Sequence, residues 1–454
     1  MLVFLLNLPT KNRQVVRDMA GGLGFDGGDA VILPPLELAY LASSLREKNI
    51  EVLLSDADID GYSSEDIITI LKGKKPDCVI TTVSLPSLYA DCAIIKELRA
   101  YTKAKIFIQT NIFSPSLLKQ ILDKSAADAC VYGECETNIH KILLGEETRG
   151  IAYIKDGSLV VGEKFILEDL DKLPLPARDL LKNDRYHYGL LGNKTTTIQT
   201  SRGCPFPCSY YCPYPLVQGH AWRARSPEHI IREIADIVTI HNIHNILFRD
   251  ATFTLDKKRV HAICDLIIER KFFLRWWCET RVDCLSEELI KKMKAAGCAG
   301  INVGVESGDP LLMQSQAKRG LTLEMLGKIR NVAKKIGIKL HFLFLVGLPD
   351  ETKKSLYATY KLICELRPES IGVCIITPYP GTPLYDDAKK NNWIETEDWV
   401  KFGGHTPIMH TNNLSSDDLR FGQKMLLDGY YINKKFGRLG FFVYNKIFQN
   451  WAEK

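Results

Sequence analysis

Three cysteines lie close together near the middle of the chain. Cys204, Cys208 and Cys212 stand in the segment Thr-Ser-Arg-Gly-Cys-Pro-Phe-Pro-Cys-Ser-Tyr-Tyr-Cys, with three residues between successive cysteines. Prolines at 205, 207, 213 and 215 cannot continue a helix, so this segment is predicted to be an irregular loop. Three thiolates on one loop can hold three irons of a 4Fe–4S cluster while the fourth iron stays open.

Two other interpretations of these cysteines remain open on the sequence alone. A structural zinc site needs four protein ligands, and His220, eight residues after Cys212, could complete a Cys3His set. The three cysteines could also stand together by coincidence. The other cysteines are scattered singly, and an odd total of 13 with irregular spacing speaks against a disulfide framework.

The composition is that of an ordinary folded protein. Of 454 residues, 46% are hydrophobic and 25% charged, which excludes wholesale disorder, and the length suggests about two to three domains. A net charge of +5 neither argues for nor excludes a nucleic-acid partner. No apolar run approaches the roughly 18 to 20 residues that cross a bilayer. Residues 1–9 have no basic region or cleavage site of a signal peptide, so the chain is predicted to be cytoplasmic.

Strand-like and helix-like segments alternate over the first part of the chain. Short apolar segments at 2–6, 51–54, 78–83, 105–108 and 129–131 are typical of strands. This alternation predicts βαβ units and a parallel Rossmann-like sheet, whose ligands lie at the carboxyl ends of the strands. A hairpin-like piece and a Pro-containing stretch then mark a boundary. We expect residues 1–165 to form this domain and residues 166–193 a linker.

A second alternating series begins at Thr195, directly before the three cysteines. Six strand–helix repeats predict a partial (β/α)6 barrel of the TIM type over residues 194–390, with its active site at the carboxyl ends of the strands. Residues 391–454 lose the alternation and are expected to form a small helical C-terminal extension. The predicted fold class is therefore α/β, with a Rossmann-like sheet, a partial barrel and this extension.

The sequence resembles the radical S-adenosylmethionine (SAM) superfamily, and within it the branch that carries a cobalamin-binding domain. That family binds its 4Fe–4S cluster with three cysteines after the first barrel strand. The resemblance continues through motifs spread over some 180 residues: Trp222–Glu228, Phe248–Phe253, Cys278–Asp283, Gly304–Gly308, Val346–Thr352 and Pro378–Pro383. One departure concerns the spacing, which is usually Cys-x3-Cys-x2-Cys and here is Cys-x3-Cys-x3-Cys. The aromatic before the third cysteine is present as Tyr211, so the extra residue is placed within 209–210.

The resemblance implies residues for the metal and for SAM. Cys204, Cys208 and Cys212 would bind the cluster. Side chains at the ends of three barrel strands would bind SAM, namely Asp250, Glu279, Arg281, Glu306 and Ser307. For the four residues that end the last two of these strands, the alternative is salt bridging within the barrel rim. Residues 347–349 are expected to form a turn that lets the backbone approach the adenine.

The same branch implies cobalamin in the first domain. The corresponding positions are Pro35, Ser84, Asn111 and Glu134. The motif that supplies a histidine to cobalt is absent, so any cobalamin would lack a lower histidine ligand. Where the family tends to have Gly-Gly, Gln109-Thr-Asn111 stands, and these bulkier side chains narrow the expected groove. A domain without cofactor, kept for packing or dimer contact, is the alternative.

The resemblance implies a cobalamin-dependent radical SAM enzyme, most commonly a methyltransferase. SAM would be cleaved to methionine and a 5′-deoxyadenosyl radical, which takes hydrogen from an unactivated carbon, and methylcobalamin would supply the methyl group. Two alternatives are a non-methylating radical SAM enzyme and a non-catalytic metal-binding scaffold. Expected partners are a small-molecule, lipid or peptide substrate and an electron donor such as flavodoxin or ferredoxin, with no nucleic acid. The basic, aromatic stretch 434–448 suggests a tail helix docked on the barrel, with peripheral membrane contact as the alternative.

Overall fold

A computed structural model describes residues 1–10, 15–17 and 22–453. The chain divides into two compact units. The first contains residues 1–204 and 213–249, and the second contains residues 205–212 and 250–454. The domain boundaries expected from the sequence, at 165, 193 and 390, stay a prediction.

The first unit is built on a seven-stranded sheet. Its strands are β1 (Leu2–Asn7), β2 (Glu51–Asp56), β3 (Cys78–Thr82), β4 (Lys105–Gln109), β5 (Ala129–Val131), β6 (Ile151–Lys155) and β7 (Ser158–Val161). They lie in the order β7-β6-β5-β4-β3-β1-β2, and β1 to β5 run parallel. The predicted hairpin at 151–161 is β6 and β7, which extends the sheet through antiparallel pairing with β5.

Helices cover this sheet because each presents one apolar face. They are α1 (Leu36–Arg46), α2 (Ser64–Lys74), α3 (Leu88–Arg99), α4 (Pro115–Ser125) and α5 (Ile139–Leu144). Helix α2 begins with a capping box between Ser63 and Asp66. Leu38, Leu41 and Leu45 of α1 share one buried core with β1 and β3. The parallel βαβ arrangement expected from the alternation is confirmed.

The first unit also contains shorter elements outside this sheet. Val31–Ile32, His187–Tyr188 and Gly192–Asn193 form a small three-stranded sheet. Two longer strands, β8 (Thr195–Ile198) and β9 (Asn245–Phe248), pair in parallel. Helix α6 (Pro227–Thr239) leads into β9, and a short helix over Tyr214–Gln218 follows the cysteines.

The second unit contains four parallel strands that lie in chain order. They are β10 (Arg275–Thr280), β11 (Cys298–Glu306), β12 (Lys339–Val346) and β13 (Ser370–Ile375). Helices alternate with them, namely α7 (Lys257–Glu269), α8 (Glu287–Ala295), α9 (Leu323–Ile336), α10 (Lys353–Leu366) and α11 (Pro383–Lys390). This is the strand–helix alternation of the predicted barrel.

The C-terminal extension is largely helical, as expected, and it packs within the second unit. Its main element is α12 (Ser416–Ala452), which departs from helical geometry at Gly437 (φ 60°, ψ −135°). The two halves of α12 fold back onto each other, which brings the Phe421 and Trp451 ring centroids to 5.0 Å. Tyr357 of α10 donates a hydrogen bond to Asn445, so the tail is docked as predicted. Side chains 438–443, part of the suggested membrane contact, lie outside the described residues.

No helix in the described ranges is both long enough and apolar enough to cross a membrane.

Candidate active site

The cysteine loop, residues 200–213, follows strand β8. Cys204 and Cys208 are buried and Cys212 is half-buried. The Cys204 amide donates to the Gly219 carbonyl at 3.1 Å. Among the residues that the structure describes, no three His, Cys, Asp or Glu side chains are gathered so as to hold a metal ion. The three-cysteine ligand set therefore stays a prediction.

One helical turn separates Cys208 from Cys212. Pro207–Tyr210 form a 3-10 helix, and the Cys212 amide donates to the Cys208 carbonyl at 3.0 Å, which is the four-residue step of an α-helix. Residues four apart lie on the same helix face, so the extra residue of the loop does not separate the two thiols. Their mutual hydrogen bond, opposed by burial and supported by the Lys318 ammonium, lowers the pKa of Cys208 to about 6.

Lys318 is the cation of this site that the sequence did not single out. Its Nζ lies 3.1 Å from Oε1 of Glu306 and its side chain is largely buried. Although burial opposes the charge, Glu306 and the thiols of Cys208 and Cys212 raise the pKa of Lys318. Its side chain therefore stays charged beside the second and third cysteines.

Glu306 is held in an uncommon backbone conformation at the end of β11. Its φ of 68° lies in the left-handed region, where a residue with a side chain is strained. The β11–β12 register is irregular between Gly304 and Glu306. A Cβ on Gly304 would come within 2.6 Å of Glu306 Oε1 and 2.9 Å of Lys318 Cε, so this glycine makes room for the ion pair.

Arg281 joins the same group of side chains. It is paired with Asp283 at 2.7 Å, and its guanidinium lies 4.0 Å from the ring centroid of Phe206. Arg281 Nη1 and the Tyr211 hydroxyl are buried and have no hydrogen-bond partner among the described residues. An anionic ligand bound next to these thiols and cations would accept hydrogen bonds from both unused donors.

The other residues predicted for SAM lie in the same unit. Asp250 and Ser307 are fully buried. Glu279 accepts a hydrogen bond from Asn302 at 3.3 Å, and the Ser307 hydroxyl accepts one from the Asp309 amide at 3.1 Å. The alternative of rim ion pairs has geometric support for Arg281 and Glu306, both of which are paired within the unit. The SAM-binding role of all five residues stays a prediction.

Residues 347–349 form the expected turn after β12. Gly347 has a φ of 103°, which favours glycine, and its amide donates to Oε2 of Glu351 at 2.5 Å. Burial raises the pKa of Glu351 to about 8. A buried carboxyl, neutral at pH 7, therefore fixes this turn.

The carboxyl edge of the first sheet carries three of the residues predicted for cobalamin. Pro35 precedes α1. Ser84 shares a 2.7 Å hydrogen bond with Ser87, and the Asn111 amide donates to the Gly22 carbonyl at 2.9 Å. The Leu85 amide also donates to the Leu23 carbonyl. Residues 22–23 thus lie against the edge of the sheet where the groove was expected.

A small cleft at this edge is lined by Gln109, Asn111 and Glu134. Gln109 Oε1 is buried with no hydrogen-bond partner in the described residues, so it can accept a hydrogen bond from a carboxamide of a bound ligand. Glu134 already accepts two hydrogen bonds from Arg223, at 2.6 and 2.7 Å. It accepts a third from the Leu167 amide. Its contact with cobalamin stays a prediction.

Arg202 connects this cleft to the cysteine loop through ion pairs. Arg202, two residues before Cys204, lies 2.6 Å from Oε1 of Glu136, and both side chains are buried. Arg202 also lies 3.6 Å from Glu134. Sequence reasoning missed these pairs, because ion pairs between distant positions leave no local pattern.

Comparison with known proteins identifies the family. The radical SAM superfamily model matches residues 198–363. An uncharacterized methyltransferase of Pyrococcus horikoshii is 31% identical over 414 residues, which cover 88% of this chain and 88% of that relative. The chain belongs to the radical SAM superfamily. It is therefore a radical SAM enzyme, and the family resemblance of the sequence is confirmed.

Other similar proteins include a cyclase and a methyltransferase of known structure. The anaerobic magnesium-protoporphyrin IX monomethyl ester cyclase of Cereibacter sphaeroides is 26% identical, and the match covers 88% of this chain and 67% of the cyclase. The radical SAM methyltransferase TsrM of Kitasatospora setae has been solved with cobalamin and a 4Fe–4S cluster. Its structure matches this one with a TM-score of 0.69, and the match covers 86% of this chain and 75% of the TsrM chain. At 19% identity, this likeness shows the shared fold alone. It confirms the predicted combination of a Rossmann-like sheet with a radical SAM barrel.

Proposed function

We propose that this radical SAM enzyme is cobalamin-dependent and methylates an unactivated carbon. The observation that carries the proposal is the similarity to an uncharacterized methyltransferase along 88% of both chains, since a match of that length spans most of the sheet that would hold cobalamin as well as the cysteine loop. When bound, the cluster and SAM supply a 5′-deoxyadenosyl radical, and methylcobalamin supplies the methyl group.

The residues around the cysteine loop fit an anionic cluster and the carboxylate of SAM. Cys204, Cys208 and Cys212 would hold three irons. Lys318 would balance the charge of the thiolates, because its ammonium already lies in their field. Arg281 Nη1, which has no partner among the described residues, would donate to the SAM carboxylate.

Some of the side chains at the edge of the first sheet suit a ligand rich in carboxamides, and others do not. Gln109 Oε1 offers a buried acceptor, and the hydroxyl of Ser84 lies on the same edge. The side-chain amide of Asn111 donates to the Gly22 carbonyl. For Asn111 to bind cobalamin, residues 22–23 would have to give up this hydrogen bond. The sequence lacks the motif that supplies a histidine to cobalt.

The test is made anaerobically on protein with a reconstituted cluster, SAM, dithionite and hydroxocobalamin. We expect 5′-deoxyadenosine by chromatography and cobalamin retained after desalting. Both the cluster and the deoxyadenosine should be lost in Cys212→Ala and kept in Cys364→Ala, which alters a buried thiol on α10. If the protein forms no deoxyadenosine and retains no cobalamin, the proposal is contradicted and a metal-binding scaffold is favoured.

A second candidate is a radical SAM enzyme that does not transfer a methyl group. It rests on the 26% identity to the anaerobic magnesium-protoporphyrin IX monomethyl ester cyclase. Deoxyadenosine formed by protein that retains no cobalamin would favour this candidate. Deoxyadenosine together with retained cobalamin leaves the methylation itself to be shown with a substrate.

Partners and location belong to the same proposal. The enzyme would take a small-molecule, lipid or peptide substrate and electrons from a flavodoxin or ferredoxin, in the cytoplasm. The C-terminal half of α12 would contact membranes at most peripherally, since Phe448 and Trp451 already pack against each other inside the unit. Sedimentation with anionic vesicles tests this contact.

A further inference from the structure

The middle of the cysteine loop is tied to helix α11. The Tyr210 hydroxyl donates a hydrogen bond to Oδ2 of Asp387 at 2.8 Å. Tyr210 stands in the stretch that makes this loop one residue longer than the usual family spacing. We propose that the Tyr210–Asp387 hydrogen bond is the positioning contact that lets the longer loop present Cys208 and Cys212 to the iron–sulfur cluster. This inference rests on the proposed function.

The two neighbouring tyrosines of the loop have different surroundings. Successive residues of a helical turn do not face the same way. Tyr211 is buried with Cys208 in an apolar cluster that includes Leu348 and Ile376. Tyr210 is only partly buried and packs against this cluster from outside. Its hydroxyl is bonded to Asp387. A longer loop has one more residue to place, and the hydrogen bond to α11 gives that residue a fixed partner.

Helix α11 is anchored beneath the loop. Thr382 caps its first turn by accepting a hydrogen bond from the Tyr385 amide, and Pro383 takes the first helical position. Leu384 and Ala388 are fully buried in the same apolar cluster as Cys208. Because both packing residues are fixed, Asp387 between them is held in place to receive the Tyr210 hydroxyl.

The segment after α11 completes this support. Trp393 and Met409 belong to the apolar cluster around Cys208. The segment is closed by an antiparallel bridge between Ile394 and Met409 and by a hydrogen bond from the Glu395 amide to the Ile408 carbonyl at 2.9 Å. The extension predicted as a helical appendage therefore also supplies a wall behind the second and third cysteines.

The experiment compares reconstituted full-length Tyr210→Phe and Asp387→Asn with wild type. Matched controls are Tyr385→Phe and Asp386→Asn, which make the same changes on α11 outside this contact. We expect both test variants to lose iron to a chelator about tenfold faster, the scale of a lost hydrogen bond to a charged group. Their reduced cluster should give an altered EPR spectrum, while circular dichroism and the midpoint of thermal unfolding of the cluster-free proteins stay near wild type.

Two outcomes would overturn the inference, and they differ in their consequences. If wild type takes up a cluster and both test variants keep its release rate and EPR spectrum, only the positioning role is wrong. If wild type itself takes up no cluster, the inference and the proposed function both fail. Equal effects in the control variants would show a general weakening of α11 and also overturn the inference.

Discussion

At the scale of single residues, the site is dominated by charge. Lys318 lies next to the second and third cysteines and is paired with Glu306. Arg281, which is paired with Asp283, adds a guanidinium cation near the same thiols. The three-cysteine motif could be predicted from sequence because its members are neighbours in the chain. Lys318 could not, because nothing around position 318 indicates that it comes back to the loop.

Removing the Lys318 charge should change the acidity of Cys208. In cluster-free protein the pKa of Cys208 is lowered to about 6, and Lys318 is one of the causes. Lys318→Met should raise this pKa, so the thiolate is lost at a higher pH as the solution is acidified. Alkylation of Cys208 at pH 6.5, followed by mass spectrometry, should slow several-fold. Lys328→Met, an exposed lysine on α9, is the control, and an unchanged alkylation profile in Lys318→Met would contradict the prediction.

At the scale of elements, the turn after β12 makes the free energy of unfolding depend on pH. Glu351 is buried with a pKa of about 8, against an ordinary value near 4.5. A raised pKa in the folded state means that the stabilisation is complete below pH 4.5 and is lost as the pH rises towards 8. The free energy of unfolding should therefore fall between about pH 5 and 8.

Glu351→Gln should flatten this fall, because an amide has no proton to lose in that range. Urea unfolding of the cofactor-free protein at pH 5.5 and pH 8 measures it. Glu365→Gln, an exposed position on α10, should keep the wild-type slope. If Glu351→Gln retained the full wild-type dependence, another group would have to carry it.

The elements themselves were the easiest part to predict. Apolar segments place β1 to β5 within a few positions of their observed ends, since one local pattern suffices for each. The wall of residues 393–409 behind the cysteine loop was expected to be helical. Its antiparallel bridge joins positions 394 and 409, and pairing across such a gap leaves no periodicity to detect.

At the scale of the whole molecule, buried ion pairs link parts of the first unit that are far apart in sequence. Glu233 of α6 lies 2.6 Å from Arg178 and 2.5 Å from Arg225, and none of these three side chains is exposed. Arg178 stands in the stretch expected to be a linker, and the pair holds it against α6. Arg178 is therefore part of the buried interior of the first unit.

Glu233→Gln should destabilise the protein by about 3–5 kcal/mol, because it leaves two buried guanidinium groups without a counter-charge. Chemical denaturation measures the loss. Glu228→Gln, an exposed position in the first turn of α6, should change stability by less than about 0.5 kcal/mol. A small effect in Glu233→Gln would mean that water reaches the two arginines.

The helical turn from Cys208 to Cys212 has a consequence for how related sequences are searched. On a helix, positions three and four apart are the two that share a face, so a motif with either two or three residues between its last cysteines describes the same arrangement of thiols. A search pattern that fixes this gap at two would discard chains such as this one. A pattern that accepts either two or three residues in this gap would keep this chain.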